Sequence, residues 1–215
     1  MSDDTVTGAG EGENDATTEW PVDLTGVTET VVTTLGPNEL WNVAALGVHA
    51  PSGAGDGGGY PAAWARTWGR TRTWRNFRER GEGVIQFTVD PVAFAEAALT
   101  VREESEPVID AADAWVRVAV ERVDGGERGG TQWVDWRLSP QETRVLQEGV
   151  RSLDRATAAV VEATVAASRL DVPTYDTETL VDRLAYFDDV VATAGGERAR
   201  AAFDVVDEAT DWREL

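Results

Sequence analysis

Arg66, Arg70 and Arg72 are followed by Thr67, Thr71 and Thr73, and the last of these opens a segment, Thr73 to Arg80, that reads as a short helix ending at Gly81. Free N–H groups at a helix start, the positive end of its dipole, hydroxyl donors and guanidinium forks together make an anion site, and phosphate is the natural guest. From Trp64 to Arg80 the chain carries six Arg and one Glu, a net +5 within a protein of −20. Arg78 and Arg80 belong to the last helical turn, where cations favour the dipole. Trp64, Trp68 and Trp74 are interleaved with the arginines and offer flat apolar surface, so the ligand expected here joins a phosphate to an aromatic ring. Core packing is the competing role for at least two of the three.

Other candidates are weaker. Gly53 to Gly58 spells G-x-G-x-x-G, but a dinucleotide turn must leave a strand and open a helix, and this run continues through Tyr60-Pro61 into a strand. It reads as a flexible loop. Glu103/Glu104 and Asp188/Asp189 are tempting acid/base pairs, yet among 39 Asp and Glu they read as solvated surface. The one histidine, His49, closes a strand and reads as an ordinary half-buried side chain. There is no cysteine, which removes disulfides, thiolate metal sites and Cys nucleophiles. No metal site is expected, and no catalytic residue can be named.

The 19 basic residues are all Arg. Lys is normally among the commonest residues, so its absence beside 39 carboxylates reads as adaptation to molar salt, where a Debye length of about 3 Å screens the repulsion between them. A length of 215 residues, 42% apolar composition and nine Trp describe a folded domain with an appendage, not an acidic tail. The acidic start is no signal peptide and no apolar run reaches a membrane span, so a cytoplasmic protein is expected.

The elements that must position the arginines follow from local pattern. Residues 1–20 read as a disordered acidic leader. Gly26 to Thr34 is β-branched and strand-like, Gly36-Pro37-Asn38 turns the chain, and Glu39 to His49 returns as a hairpin partner. Pro61 to Trp68 is a third strand and Gly83 to Val89 a fourth. Asp90-Pro91 opens a helix that turns Phe94, Ala97 and Ala98 inward. Ala114 to Val123 alternates as a strand and Gln132 to Leu138 pairs back on it. Ser139-Pro140-Gln141-Glu142 reads as a capping box, after which the chain is expected to be helical, with stripes Leu153/Ala156/Val160/Ala163/Ala167, Leu180/Leu184/Phe187/Val191 and Ala199/Ala202/Val206/Ala209. The expected division is a barrel domain over 21–138 and a helical appendage over 139–215; the class is mainly β with α.

Thr28-Glu29-Thr30-Val31-Val32-Thr33-Thr34, Asn42-Val43-Ala44-Ala45-Leu46-Gly47-Val48, Arg70-Thr71-Arg72-Thr73-Trp74-Arg75-Asn76-Phe77, Val84 to Phe94 and Asp154 to Leu170 occur in that order. Jointly they resemble an archaeal family of unknown function (the domain of unknown function 447 type) related to the flavin-reductase-like, FMN-binding split barrels. The resemblance implies a split β-barrel followed by a helical C-terminal part, a homodimer, and FMN near the subunit interface. It implies that Asn42, Ala44, Ala45 and Gly47 border the isoalloxazine, and that Arg70, Thr71, Thr73 and Asn76 hold the phosphate with Arg66 nearby. Ala45 stands where the family's pattern has Pro.

The reading that follows is an FMN-dependent oxidoreductase taking electrons from a nicotinamide or similar donor. The protein then needs no His or Cys, because the cofactor carries the electrons. The alternative from another class is a non-catalytic flavin or nucleotide binder, a sensor or carrier. A single-strand nucleic-acid module stacking bases on Trp and Arg comes third, disfavoured by the acidic remainder and by salt that collapses phosphate affinity.

Overall fold

The computed structural model describes residues 18–51, 62–149 and 154–215. Most of the expected leader and the glycine-rich run over 53–58 lie outside the described residues. Seven strands and five α-helices follow in order: β1 (Val27–Leu35), β2 (Trp41–His49), β3 (Trp64–Trp68), α1 (Arg72–Arg80), β4 (Glu82–Phe87), α2 (Pro91–Leu99), β5 (Arg102–Glu104), β6 (Ala114–Arg128), β7 (Thr131–Val145), α3 (Arg155–Ala167), α4 (Thr177–Ala194) and α5 (Glu197–Ala209). Six strands close an antiparallel barrel in the order β1-β4-β6-β7-β3-β2, with β2 pairing back on β1. The expected hairpin is the β1–β2 pair, in register from Val27 opposite His49 to Leu35 opposite Trp41.

Alternation sorts the side chains. Val32, Leu46, Val48, Ile85, Val116, Val118 and Leu138 point into the barrel, where Phe77 of α1 joins them. Val31 and Val43 point outward and are covered by Ala93, Phe94 and Ala97 of α2. Ala95, on the opposite side of α2, packs into a second core built from the expected stripes: Ala156, Val160 and Ala163 of α3, Leu180, Leu184 and Val191 of α4, and Ala199, Ala202 and Val206 of α5. α2 is thus the layer that ties the helical part to the barrel. Asp90 caps it by accepting from the Val92 amide, as the Asp-Pro start predicts.

Two expectations fail, for one reason. Ser139 to Glu142 does not cap a helix: β7 runs on to Val145, with Ser139 opposite Ala119, Pro140 opposite Val118 and Glu142 opposite Arg117. Gln141 is the extra residue of a bulge, and at a bulge a proline without an N–H is tolerated. The helical part starts instead at Asp154, whose carboxylate accepts from the Ala156 and Thr157 amides. Likewise the strand expected to end at Val123 runs on to Arg128, so that Gly125 and Gly126 lie inside β6, opposite Val134 and Trp133, and the hairpin turn is Gly129-Gly130 with φ of 58° and 80°, as a two-residue turn of this hand requires. In both places cross-strand pairing overrides a local signal.

Candidate functional site

β2 has one edge fully paired and one edge divided. Along β1 all nine residues pair. On the other edge Val48 and His49 pair with β3, and Trp41, Asn42 and Val43 pair with β5. Ala44, Ala45, Leu46 and Gly47 have no strand partner on that side. β3 leaves β2 there because it follows β7 instead, from Trp64 opposite Arg137 to Trp68 opposite Trp133. The barrel is therefore split at Ala44 to Gly47, a stretch that holds three of the four residues the resemblance sets beside a ring; the fourth, Asn42, is paired with β5.

Outward-facing Ala45 and Gly47, with Glu29, Phe94, Thr164 and Ser168, line a cavity of about 200 Å³ at this edge. Gly47 has to lack a side chain, since a Cβ there would stand 2.9 Å from Val27 Cγ1 and 3.7 Å from Glu29 Oε2. Glu29 is exposed overall, yet its carboxyl is raised above the usual range, first by partial burial and second by the neighbouring Glu162. The C-terminal half of α3 roofs the opening.

The chain leaves β3 through Gly69, whose amide donates to the Gln132 carbonyl at 2.7 Å, and enters α1. The cap is Thr71, not Thr73: its hydroxyl oxygen accepts from the Trp74 amide at 3.2 Å, which leaves the hydroxyl proton to donate elsewhere. The Arg72 and Thr73 amides, in the first turn, have no intrahelical acceptor. Arg70 reaches one neighbour, the Gln132 amide oxygen at 3.3 Å. Arg72 reaches across to Glu103 of β5 at 3.0 Å, and so brings the start of α1 to the β5 side of the split, where Glu103 pairs with Asn42.

Among the described residues twelve polar or charged side chains are buried. Ten are engaged in hydrogen bonds. The two without a hydrogen-bond partner are Asn42, 6% exposed, and Thr73, 5% exposed. Asn42 faces Thr34 across β1 and β2, and Thr34 is in turn held by Asn76 of α1, one turn beyond Thr73. The two orphans therefore belong to one corner of the molecule. Buried polar groups are nearly always satisfied, by protein or by ordered water, and these two side chains mark the corner as a candidate site.

Two assigned residues are otherwise engaged. The Asn76 amide nitrogen donates to Thr34 Oγ1 at 3.0 Å and to the Thr34 carbonyl at 3.3 Å, clamping α1 to β1. Arg66 forms a two-point ion pair with Asp135 and lies 4.2 Å from the centroid of the Trp133 ring. Both shape the site rather than present free atoms to it. The remaining basic residues of the island are also spoken for: Arg75 donates to the Asn76 side-chain oxygen at 3.3 Å, Arg78 stacks on Trp74, and Arg80 pairs with Glu39. Trp64 is buried and stacked on His49 with ring centroids 3.8 Å apart, while Trp68 stays 43% exposed. Glu103 and Glu104 are held by Arg72 and Arg102. Arg72, part of the arginine run read as an anion site, is not among the residues that the resemblance sets on the phosphate; Thr164 of α3 and Ser168, the C-cap of that helix, are not anticipated, and nothing local points to them.

A cavity of about 640 Å³ lies elsewhere, bounded by Pro21, Glu29, Phe87 and Gln147, and no basic residue lines it. No group of metal-ligating side chains and no helix long and apolar enough to cross a membrane occurs among the described residues.

The chain matches two family models, one described as the N-terminal domain of a protein of unknown function, DUF447, over residues 28–147, and one as DUF447 over residues 154–208. Among solved structures it is similar to an FMN-bound protein of the same family model from Methanosarcina mazei, with a TM-score of 0.71, 20% identity, and 87% of this chain and 97% of that chain covered. It also matches a putative flavin reductase with a split barrel domain from Shewanella frigidimarina, with a TM-score of 0.37, 14% identity and coverages of 59% and 70%. At these identities the likeness to the Methanosarcina protein establishes the fold. No curated protein matches.

Proposed function

The chain belongs to the DUF447 family of proteins of unknown function, and we propose that it binds FMN in the split between β2 and β3. The observation that carries this is the pair of buried, unpartnered side chains, Asn42 and Thr73, beside an unpaired strand edge and a helix N-terminus. The Thr71 and Thr73 hydroxyls, the Arg72 and Thr73 amides and the Arg70 guanidinium would hold the phosphate. The Asn42 amide and the backbone of Ala44, Ala45 and Gly47 would meet the ring system. Arg66 and Asn76 are positioning residues, acting through Asp135 and Thr34. The FMN-bound relative supports the choice of cofactor.

We extend the proposal to a flavin-dependent oxidoreductase of the flavin-reductase-like type, working as a homodimer with a nicotinamide donor in concentrated salt. When bound, FMN supplies the electron transfer; the chain binds and orients it, and α3 limits the access of water to the β2 edge. Protein purified in molar salt is expected to carry flavin absorbance or to take up added FMN in a 1:1 ratio, and protein that does neither ends the proposal. Anaerobic mixing of the FMN-loaded protein with NADH or NADPH is expected to bleach the flavin. A flavin that stays oxidised under both leaves a binder or carrier.

A further inference from the structure

A second cavity, of about 320 Å³, lies between the barrel and the helical part and shares Val165 and Ser168 with the cleft at the β2 edge. From the barrel come Trp68, Arg128 and Thr131; from the helical part come Ser168, Arg169 and Tyr175. We propose that it is a binding site for a nucleotide, with the base against Trp68 or Tyr175 and the phosphate on Arg128 and Arg169.

Four features select that chemistry. Trp68 and Tyr175 are large aromatic side chains left 43% and 45% exposed, and both line the cavity. The Arg169 guanidinium lies 5.0 Å from the Tyr175 ring centroid, so one cation and one aromatic face already stand together. Neither Arg128 nor Arg169 has a carboxylate partner among the described residues, although the chain has about two acids for every Arg. No acid lines this cavity, whereas four others of comparable size each carry at least one: Glu29, Glu127 and Asp154 are examples.

The walls are preformed. After α3 the chain turns on successive backbone bonds, Val172 N to Arg169 O and Tyr175 N to Val172 O, each 3.0 Å, which fix Arg169 and Tyr175 relative to each other. The tip of the β6–β7 hairpin closes on the same segment: Gly129, at φ 58°, lies so near Thr174 that a Cβ would stand 2.9 Å from its Cγ2. The Thr131 hydroxyl adds a donor for phosphate oxygens, while the Ser168 hydroxyl donates to the Val165 carbonyl at 3.1 Å. In concentrated salt, where long-range attraction is screened, such close charged hydrogen bonds and stacking are what remains to hold an anion. The helical part thereby gains a role, as one wall of a site whose ligand borders the β2 edge.

The inference stands independently of FMN, and the experiment keeps the two apart. Calorimetric titration of the full chain in molar KCl with 5′-AMP is expected to give one site per chain, with adenosine and inorganic phosphate each binding more weakly than AMP. Arg169→Gln is expected to weaken AMP about tenfold or more, and Tyr175→Ala about fivefold or more, with FMN uptake and thermal midpoint unchanged. A free mononucleotide and the adenylate end of a dinucleotide offer the same chemistry; tighter binding of NAD+ than of AMP identifies the second, equal or weaker binding the first. AMP that fails to bind at millimolar concentration, AMP that displaces FMN one for one, or an Arg169→Gln chain that binds AMP normally would each overturn the proposal. In the first and third cases the FMN reading is untouched.

Discussion

Arg66 and Asp135 face each other across β3 and β7 in a two-point ion pair, Nε to Oδ1 at 2.6 Å and Nη2 to Oδ2 at 2.8 Å, with the Asp135 side chain 2% exposed. The same guanidinium lies against Trp133, and within 5.6 Å of Trp64 and Trp68. Removing it leaves a buried carboxylate without its cation, the costly half of breaking such a pair. Arg66→Ala is expected to lower the unfolding free energy by about 3 kcal/mol, the low end of that range because Arg66 itself keeps 29% of its side chain in solvent. Arg66→Lys should recover little, since one ammonium does not reproduce the fork. Arg70→Ala, whose side chain meets only Gln132, should stay within about 0.5 kcal/mol. Urea unfolding at fixed salt measures all three, and equal losses for Arg66→Ala and Arg70→Ala would refute the distinction.

His49 gives a pH dependence whose sign follows from its surroundings. Burial against Trp64 lowers its pKa below 6.5, the nearby Arg66 lowers it further, and Asp135 opposes both more weakly. A base with a depressed folded-state pKa takes up its proton more readily unfolded, so stability is full above about 6.5 and is lost as pH falls from there through the folded value. The wild-type chain is expected to lose stability as pH drops from 7 toward 5.5, before the bulk of the carboxylates titrate, and His49→Gln to lose less over that interval. Parallel slopes for the two proteins would remove His49 as the cause.

Much of the barrel is legible in short-range pattern. Thr30 to Thr34 and Asn42 to His49 are β-branched or alternating runs around a turn, and Asp90-Pro91 writes a helix start into two residues. What misleads is what pairing decides. Ser139-Pro140-Gln141-Glu142 has the letters of a cap but is held as strand by Ala119, Val118 and Arg117 on β6. At the site, residue types and spacing single out Thr71 and Thr73, and the family resemblance adds Asn42. They do not show that Asn76 is occupied by Thr34, 42 positions away, or Arg66 by Asp135, 69 away, because cross-barrel partners leave no periodic trace. The fold of α3 over the cleft is hidden for the same reason.

The acid excess makes a prediction about salt. With 39 carboxylates and 19 Arg, many acids have no cation to meet, and pairs such as Arg80–Glu39 and Arg137–Glu121 are exposed, where each contributes about 0–1 kcal/mol. Repulsion among the rest reaches about 10 Å at 0.1 M salt and about 3 Å at 1 M. The thermal midpoint is expected to rise steeply from dilute to molar KCl, a salt chosen because sulfate would strengthen apolar burial in any protein. A midpoint that stays flat or falls would mean that ion pairs, not repulsion, dominate the surface.

Asn42 and Thr73 allow a test in which stability and binding move in opposite directions. Each is buried with no hydrogen-bond partner among the described residues, so each imposes a desolvation cost that the folded chain does not recover. Replacing such a group by an apolar one of the same shape relieves that cost. Thr73→Val, which exchanges a hydroxyl for a methyl, is expected to stabilise the FMN-free chain by about 1 kcal/mol and to weaken FMN by about tenfold, the worth of a hydrogen bond to a charged phosphate. Asn42→Leu should follow the same pattern less cleanly, because the larger side chain must also fit against Thr34. Loss of stability on Thr73→Val would mean that the hydroxyl is satisfied within the protein and that the corner is packing rather than site. Unchanged FMN affinity with raised stability would leave the orphaned groups real but move the phosphate away from α1.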